Sequence, residues 1–466
     1  MKKPFLLVLT AMLLLSSLAS CSSCSRRDQY EDQLESQKEA ESLDAIPETN
    51  GNITGESAPD YETPVMLKTG DAPYWEGKTM EELQAIYRST ATKRNSGQTV
   101  MPTGKLYSMN NGEMFFYNKL TGNISNWCSD PLCNPAENDQ CIWWDFKEIV
   151  YISDSYIYFE AVDFYNDHRI YRCDLQRNHV EEVFDILEYI EHEGSPDGSE
   201  GTTHISVDDA DVIYEKDGVL YYLQAHLIGT KSISTVYAMD LRSKEVTALS
   251  GDQDIYFIKI AADKVFYTLS SAPYTWYQTD LTFTASNKIF DNVVISHFND
   301  QYLILSRMVE GQVSDALFSY DLKTGETYEL NDRRGNTYLS GAYLYYTRNL
   351  TEEEMENDPL KDYYTYKPSG KKPSTTLEAG KIYRIYIGEH HSPEECIFQL
   401  TYKGIPVRFN DFEMDGETIY ISFNHHEGFK NFYNQDFRGN EKDTRVYGIV
   451  DLQCGTVSFL ELPKEE

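Results

Sequence analysis

From Lys105 onward the chain alternates short runs of aromatic and β-branched residues with polar turns, and the runs are too brief for helices. Bursts such as Tyr156-Ile157-Tyr158-Phe159 and Tyr343-Leu344-Tyr345-Tyr346 read as strands. They recur as a unit: a short aromatic strand, a variable loop, a strand ending in Tyr-x-x-Asp-Leu, a tight turn, and a last strand finishing on an aliphatic residue. The clearest copies are Tyr171 to Leu175, Tyr237 to Leu241 and Tyr277 to Leu281, with looser ones at Phe318 to Leu322 and Val450 to Leu452. Asn118-Lys119-Leu120 opens the series, and Tyr383 to Ile387 holds the sixth place without the Asp. These copies repeat with a basic period of about 40 residues, lengthened in places by insertions of about 25. Four short strands per period predict an all-β chain, a β-propeller of roughly seven blades, with six and eight as the neighbouring counts.

Turn chemistry agrees. Asp217-Gly218 and Asp415-Gly416 suit two-residue hairpins that need positive φ. Lys119 to Gly122 and Lys323 to Gly325 suit a type I turn closed by a glycine bulge. The recurring Asp or Asn is expected to accept backbone hydrogen bonds in that turn, a structural role. In a meander, the loops after the first and third strands share one end, and the added sequence falls at the other: residues 161–169, 187–211, 225–234, 270–276, 307–316, 347–380 and 424–444. Loops elaborated on a rigid scaffold carry binding. The first blade is short of a strand unless residues 96–103 supply it.

Ahead of the repeats, Thr79-Met80-Glu81-Glu82 has the form of a capping box, and Leu83, Ile86 and Tyr87 give the following turns one apolar face. One short helix and a lead-in are therefore expected over 79–104, with the propeller over 105–466. That helix packs on the main domain or serves as a partner-binding motif. From Ser25 to Asp60 there are ten Asp/Glu against three Lys/Arg and almost no large apolar residues, so a disordered tether is expected over 21–78. Residues 1–20 read as an export signal: Lys2 and Lys3, then a Phe5 to Leu18 apolar run too short to span a membrane. Leu18-Ala19-Ser20-Cys21 resembles the lipobox of bacterial lipoproteins, which implies lipidation of Cys21 and a cell-membrane location facing outside the cytoplasm.

Formal charge is −34, and loss of Lys2 and Lys3 with the signal takes it to −36. Such a field repels nucleic acid and attracts cationic ligands. Setting Cys21 aside leaves Cys24, Cys128, Cys133, Cys141, Cys173, Cys396 and Cys454, an odd number. Cys128-Ser-Asp-Pro131-Leu-Cys133-Asn-Pro135, followed by Cys141 and preceded by Phe115 to Gly122, resembles a segment of TolB-like, propeller-like lipoproteins of uncharacterised function from Gram-positive anaerobes. That family carries Cys-x-x-Pro-x-Cys-x-His with a third Cys downstream, a plausible zinc set. Pro135 stands here in the His position and cannot ligate. The resemblance then leaves a disulfide among Cys128, Cys133 and Cys141, inert thiols, or a weakened zinc site; no metal or other cofactor is expected.

His390-His391 with Glu394 and His425-His426 with Glu427 fall at opposite ends of the disc and read as solvated loop residues. Asp208, Asp209 and Asp211 lack the glycine and distal Glu of a calcium loop. No Gly-x-Ser-x-Gly elbow, His-Glu-x-x-His helix or phosphate loop is present, and no peptidase-sized segment is left unassigned. Aromatic and acidic residues mix in the long loops, and Asp163, Tyr165, Trp276, Tyr364, Phe432 and Tyr433 are candidates to stack a sugar or clasp a peptide. The expectation is a membrane-anchored propeller binding an envelope protein, peptide or glycan through its loop-rich face, more a binding module than an enzyme. The alternatives are a glycosidase or lyase with carboxylates near the central channel, and a structural envelope component.

Overall fold

The structure is a computed structural model that describes residues 70–93, 99–108, 114–128, 143, 146–162, 168–185, 213–228, 231–251, 253–330, 335–357, 377–402, 405–407, 409, 411–426, 443–460 and 462. Seven four-stranded antiparallel sheets follow one another, at residues 100–126, 146–185, 213–248, 255–290, 293–329, 337–399 and 411–460, each a meander in sequence order. They are the blades of a seven-bladed β-propeller. First strands of neighbouring blades touch, so they line the centre, and fourth strands lie outermost.

Burial explains the aromatic bursts. Second strands such as Tyr156–Val162 and Lys264–Leu269 are buried through their middles, whereas the outer strands Asn123–Asn126 and Thr456–Leu460 are largely exposed. A strand covered on both faces needs unbroken apolar sequence rather than alternation. Apolar clusters bridge successive blades, as Tyr158 with Tyr222 between blades 2 and 3 and Phe266 with Leu303 between blades 4 and 5. One cluster runs from Tyr420 of blade 7 through Tyr107 of blade 1 to Phe159 of blade 2, so packing closes the ring.

Val100–Met101 supplies the missing inner strand of blade 1, pairing with Gly104–Ser108. At Gly104 a Cβ would lie 1.8 Å from the Tyr117 carbonyl oxygen, so only glycine lets the second and third strands of this blade approach. The turns after the third strands behave as expected. Asn118, Asp174, Asp240, Asp280, Asp321 and Asp451 each accept backbone N–H groups through Oδ1, for example Ser243 at 2.7 Å and Lys323 at 2.7 Å. Gly122, Gly325 and Gly455 close their turns at positive φ.

Three of the expected long loops are strand instead. Val219–Ile228 pairs with Lys231–Asp240 to the Ile228–Lys231 rung, Leu269 pairs with Ala272, and Val309 pairs with Gln312. Polar residues at 225–234, 270–276 and 307–316 hid these hairpins, because cross-strand backbone bonding extends a strand regardless of side chain. Glu310 and Gly311 both take positive φ, the two-residue turn such a hairpin needs.

Helix α1 (Met80–Thr90) starts on the expected capping box, with Thr79 and Glu82 bonding reciprocally, and it buries Leu83 and Tyr87. A second helix not read from the sequence, α2 (Glu352–Asn357), follows the second strand of blade 6.

Candidate functional site

Helix α1 lies across one end of the central axis. The Tyr87 hydroxyl donates to the Val100 carbonyl in blade 1 at 2.9 Å, and the Gly341 N–H of blade 6 donates to the Thr90 carbonyl at 3.0 Å. The Thr92 hydroxyl accepts from the Leu339 N–H at 3.0 Å, and the Lys93 N–H donates to the Phe298 carbonyl of blade 5 at 2.9 Å. Arg88 pairs with Asp154 of blade 2 at 2.8 Å. A segment that touches blades 1, 2, 5 and 6 must cross the axis, and every partner lies on a first strand or first hairpin. This is the tight-turn end of the disc.

Between the helix and the first hairpins of blades 2 to 5 lies a cavity of about 500 Å³. Tyr151, Tyr214 and Phe298 give it ring surface, and Asp154, Glu215, Asp217, Asp263 and Asp300 face Arg88, Lys93 and Lys216. Lys93 is held by Asp300 at 2.7 Å and lies 5.4 Å from the Tyr214 ring centre. Lys216 bonds Asp263 at 2.6 Å, and the Tyr214 hydroxyl donates to Asp263 at 2.9 Å. The Lys216 ammonium holds the Asp263 carboxyl below its ordinary range, with burial opposing and the Tyr214 hydroxyl assisting. Burial pushes the Tyr214 and Tyr151 hydroxyls up, so both stay protonated donors.

The cavity's acids are set on constrained backbone. Ala262 and Asp263 both take positive φ, at 49° and 61°, although neither is glycine. The Ala262 N–H donates to Asp300 at 2.7 Å, which fixes that hairpin to blade 5. Two side-chain-bearing residues in the left-handed region cost of order 1 kcal/mol each or more. The bases are each engaged by an acid, which leaves Asp217 and Glu215 as carboxylates without a basic partner in the cavity. Glu215 accepts from the Tyr158 hydroxyl at 2.7 Å. Five acids against three bases make the cavity net negative and ring-walled, suited to a cationic group.

The sequence-derived candidates fall elsewhere. Trp276 is corrected: it lies in the third strand of blade 4, is 2 % exposed, and donates its indole N–H to the Val293 carbonyl at 3.0 Å. Its ring is core between blades 4 and 5 and offers no face to a ligand. Asp163, Tyr165, Tyr364, Phe432, Tyr433, Cys21, Cys133 and Cys141 lie outside the described residues, and Cys128 packs half-buried at the edge of the blade 1 cluster. His390 accepts the Glu329 N–H at 3.1 Å through Nδ1, and His391 is exposed. Sequence reading took Asp217 for a turn residue only and missed Lys93, Asp263 and Asp300, because nothing local marks four hairpins as neighbours.

At the loop-rich end, the described surface exposes Tyr256, Tyr274, Val309 and Val313 on blades 4 and 5.

No family model and no curated protein matches this chain. Among solved structures, TolB from Acinetobacter baumannii aligns at TM-score 0.30 and 11 % identity, covering 82 % of this chain and 84 % of its own. A post-proline cleaving enzyme from Rickettsia typhi aligns at 0.40 and 13 %, covering 67 % and 46 %, and the acylaminoacyl peptidase of Pyrococcus horikoshii at 0.41 and 10 %, covering 80 % and 53 %. The chain thus spans about half the length of those peptidases. The expectation that leaned away from an enzyme is corrected by this company of peptidases and is not carried further.

Proposed function

We propose that this chain is a lipid-anchored, extracytoplasmic recognition propeller that takes a small cationic ligand in the cavity beneath α1. The observation that carries the reading is the cavity itself, about 500 Å³, with ring walls and five acids against three bases. The strongly acidic chain adds long-range attraction for the same class of ligand. The Leu18 to Cys21 lipobox supports the anchor and the location.

Calorimetric titration of the full chain with a panel of small primary and quaternary amines tests the site. Binding is expected to weaken with added salt, and about 5- to 10-fold in Asp217→Asn or Glu215→Gln, the loss of one attractive charge. Amines that fail to bind, or bind the variants equally well, refute it. Fatty-acid labelling in cells tests the anchor separately, and label retained in Cys21→Ala refutes that part. A second reading, docking of a partner protein at the loop-rich end, is supported by the exposed Tyr256, Tyr274, Val309 and Val313.

A further inference from the structure

We infer that the ligand of the cavity beneath α1 is a short primary diamine, with one ammonium seated inside at Glu215 and the other at the mouth at Asp217. The inference rests on the cationic reading of that cavity, and the charge balance carries it. Among the lining residues each base is bound to its own acid: Arg88 to Asp154 at 2.8 Å, Lys93 to Asp300 at 2.7 Å and Lys216 to Asp263 at 2.6 Å. Those acids are thereby matched, and Glu215 and Asp217 are left over. A monocation balances one of them. A ligand with two positive charges balances both.

The two carboxylates differ in depth. Glu215 is half-buried and accepts from the Tyr158 hydroxyl at 2.7 Å, which directs it without cancelling its charge. Asp217 is exposed, on the turn of the same hairpin, with a φ of 52°. They stand two positions apart in the chain, so their Cα atoms are separated by at most about 7 Å. A linker of about four or five carbons places two ammonium groups at that spacing. Ile152, Ile260 and Phe298 give such a linker apolar wall to lie against.

The chain's own lysines show which kind of ammonium this site accepts. Lys93 sets its Nζ against Asp300 and lies 5.4 Å from the Tyr214 ring centre. Lys216 sets its Nζ on Asp263, the carboxylate to which the Tyr214 hydroxyl also donates. Both are alkyl ammonium groups donating to a carboxylate beside the same tyrosine. A quaternary ammonium has no N–H to offer such acceptors, so the site favours primary amines over it.

Calorimetric titration of the full chain with 1,4-diaminobutane, 1-aminobutane and tetramethylammonium tests the inference. One equivalent of the diamine is expected to bind, with a Kd about 5-fold or more below that of the monoamine, and tetramethylammonium is expected to bind most weakly. Asp217→Asn suits the left-handed turn position and removes the charge; in it the diamine is expected to bind no better than the monoamine. Equal affinity for diamine and monoamine, an advantage that persists in Asp217→Asn, or tetramethylammonium binding as tightly as the diamine overturns the diamine inference while the cationic reading stands. Magnesium carries two charges without N–H groups or a carbon chain, and displacement of the diamine by an equal concentration of magnesium overturns it as well. Binding of no amine at all overturns both. Should the variant fail to fold, the ligand series on the unaltered chain decides alone.

Discussion

Lys119 and Asp415 form an ion pair whose side chains are both fully buried, joining the third strand's end in blade 1 to the first strand of blade 7. Lys119→Met removes the ammonium while keeping most of the stem. The cost follows from what is stranded. At contact distance and an effective dielectric near 20, the attraction is about 4–5 kcal/mol, comparable to the several kcal/mol needed to dehydrate each ion. The intact pair is therefore close to neutral against an apolar replacement, but a lone buried carboxylate is not. Burial already pushes Asp415 up against the pull of Lys119, and it draws Lys119 down. Removing one partner is expected to cost about 3–5 kcal/mol. Lys119→Met and Asp415→Asn should each lose that much in urea unfolding followed by tryptophan fluorescence. The double variant should lose at least about 2 kcal/mol less than the sum. Additive losses, or single losses below about 1 kcal/mol, would refute the view that this pair fastens the seam.

Two further outcomes follow from the blades. Trp276→Ala should cost about 3–5 kcal/mol in the same urea assay, through the cavity it leaves and the lost bond to Val293; a loss under 1 kcal/mol would return that ring to the surface. Asp280 is held below its usual range by the Thr282 hydroxyl and amide, and Asp240 by the amides of Ser243 and Arg242. Their folded pKa values lie under the unfolded ones, so the stability they contribute is present above the ordinary carboxylate range of about 4 and is lost as pH falls through the folded values. Carboxyl-carbon NMR should show both titrating below that range, and titration at or above it would contradict the turn geometry.

The repeat was legible because each blade contains its own punctuation. Aromatic bursts mark strands buried on two faces, and the Asp of Tyr-x-x-Asp-Leu marks a turn in which a carboxylate gathers backbone N–H groups. Both are local signals. The capping box at Thr79 is equally local, and α1 begins there. What could not be read was everything set by the ring. Asp415-Gly416 has the sequence of a hairpin turn, yet Asp415 is the last residue of its strand, paired to Thr418, and its partner Lys119 lies 296 positions away. Trp276 looked like a loop aromatic because Ser270 and Ser271 before it are poor strand formers. Its burial depends on blade 5, which covers it only once the disc has closed.

Closure itself explains why the lead-in belongs to the domain. Blade 7 has its own outer strand, Thr456–Leu460, and blade 1 its own inner strand, Val100–Met101, so among the described residues no strand ties the two by backbone pairing. Among the described residues, side chains carry the contact between these two blades, and it is charged: Lys119 with Asp415, Lys105 with Glu413, and Thr99 Oγ1 bonded to the same Glu413. Exclusion of water costs hydration of these charges but strengthens the attraction within each pair. The strap from Gly70 to Tyr74 covers them at the rim, and α1 covers the axis beside them. The same helix forms one wall of the acidic cavity. Fastening of the ring and construction of the site are thus one event, and a change that loosens the strap should loosen the cavity with it.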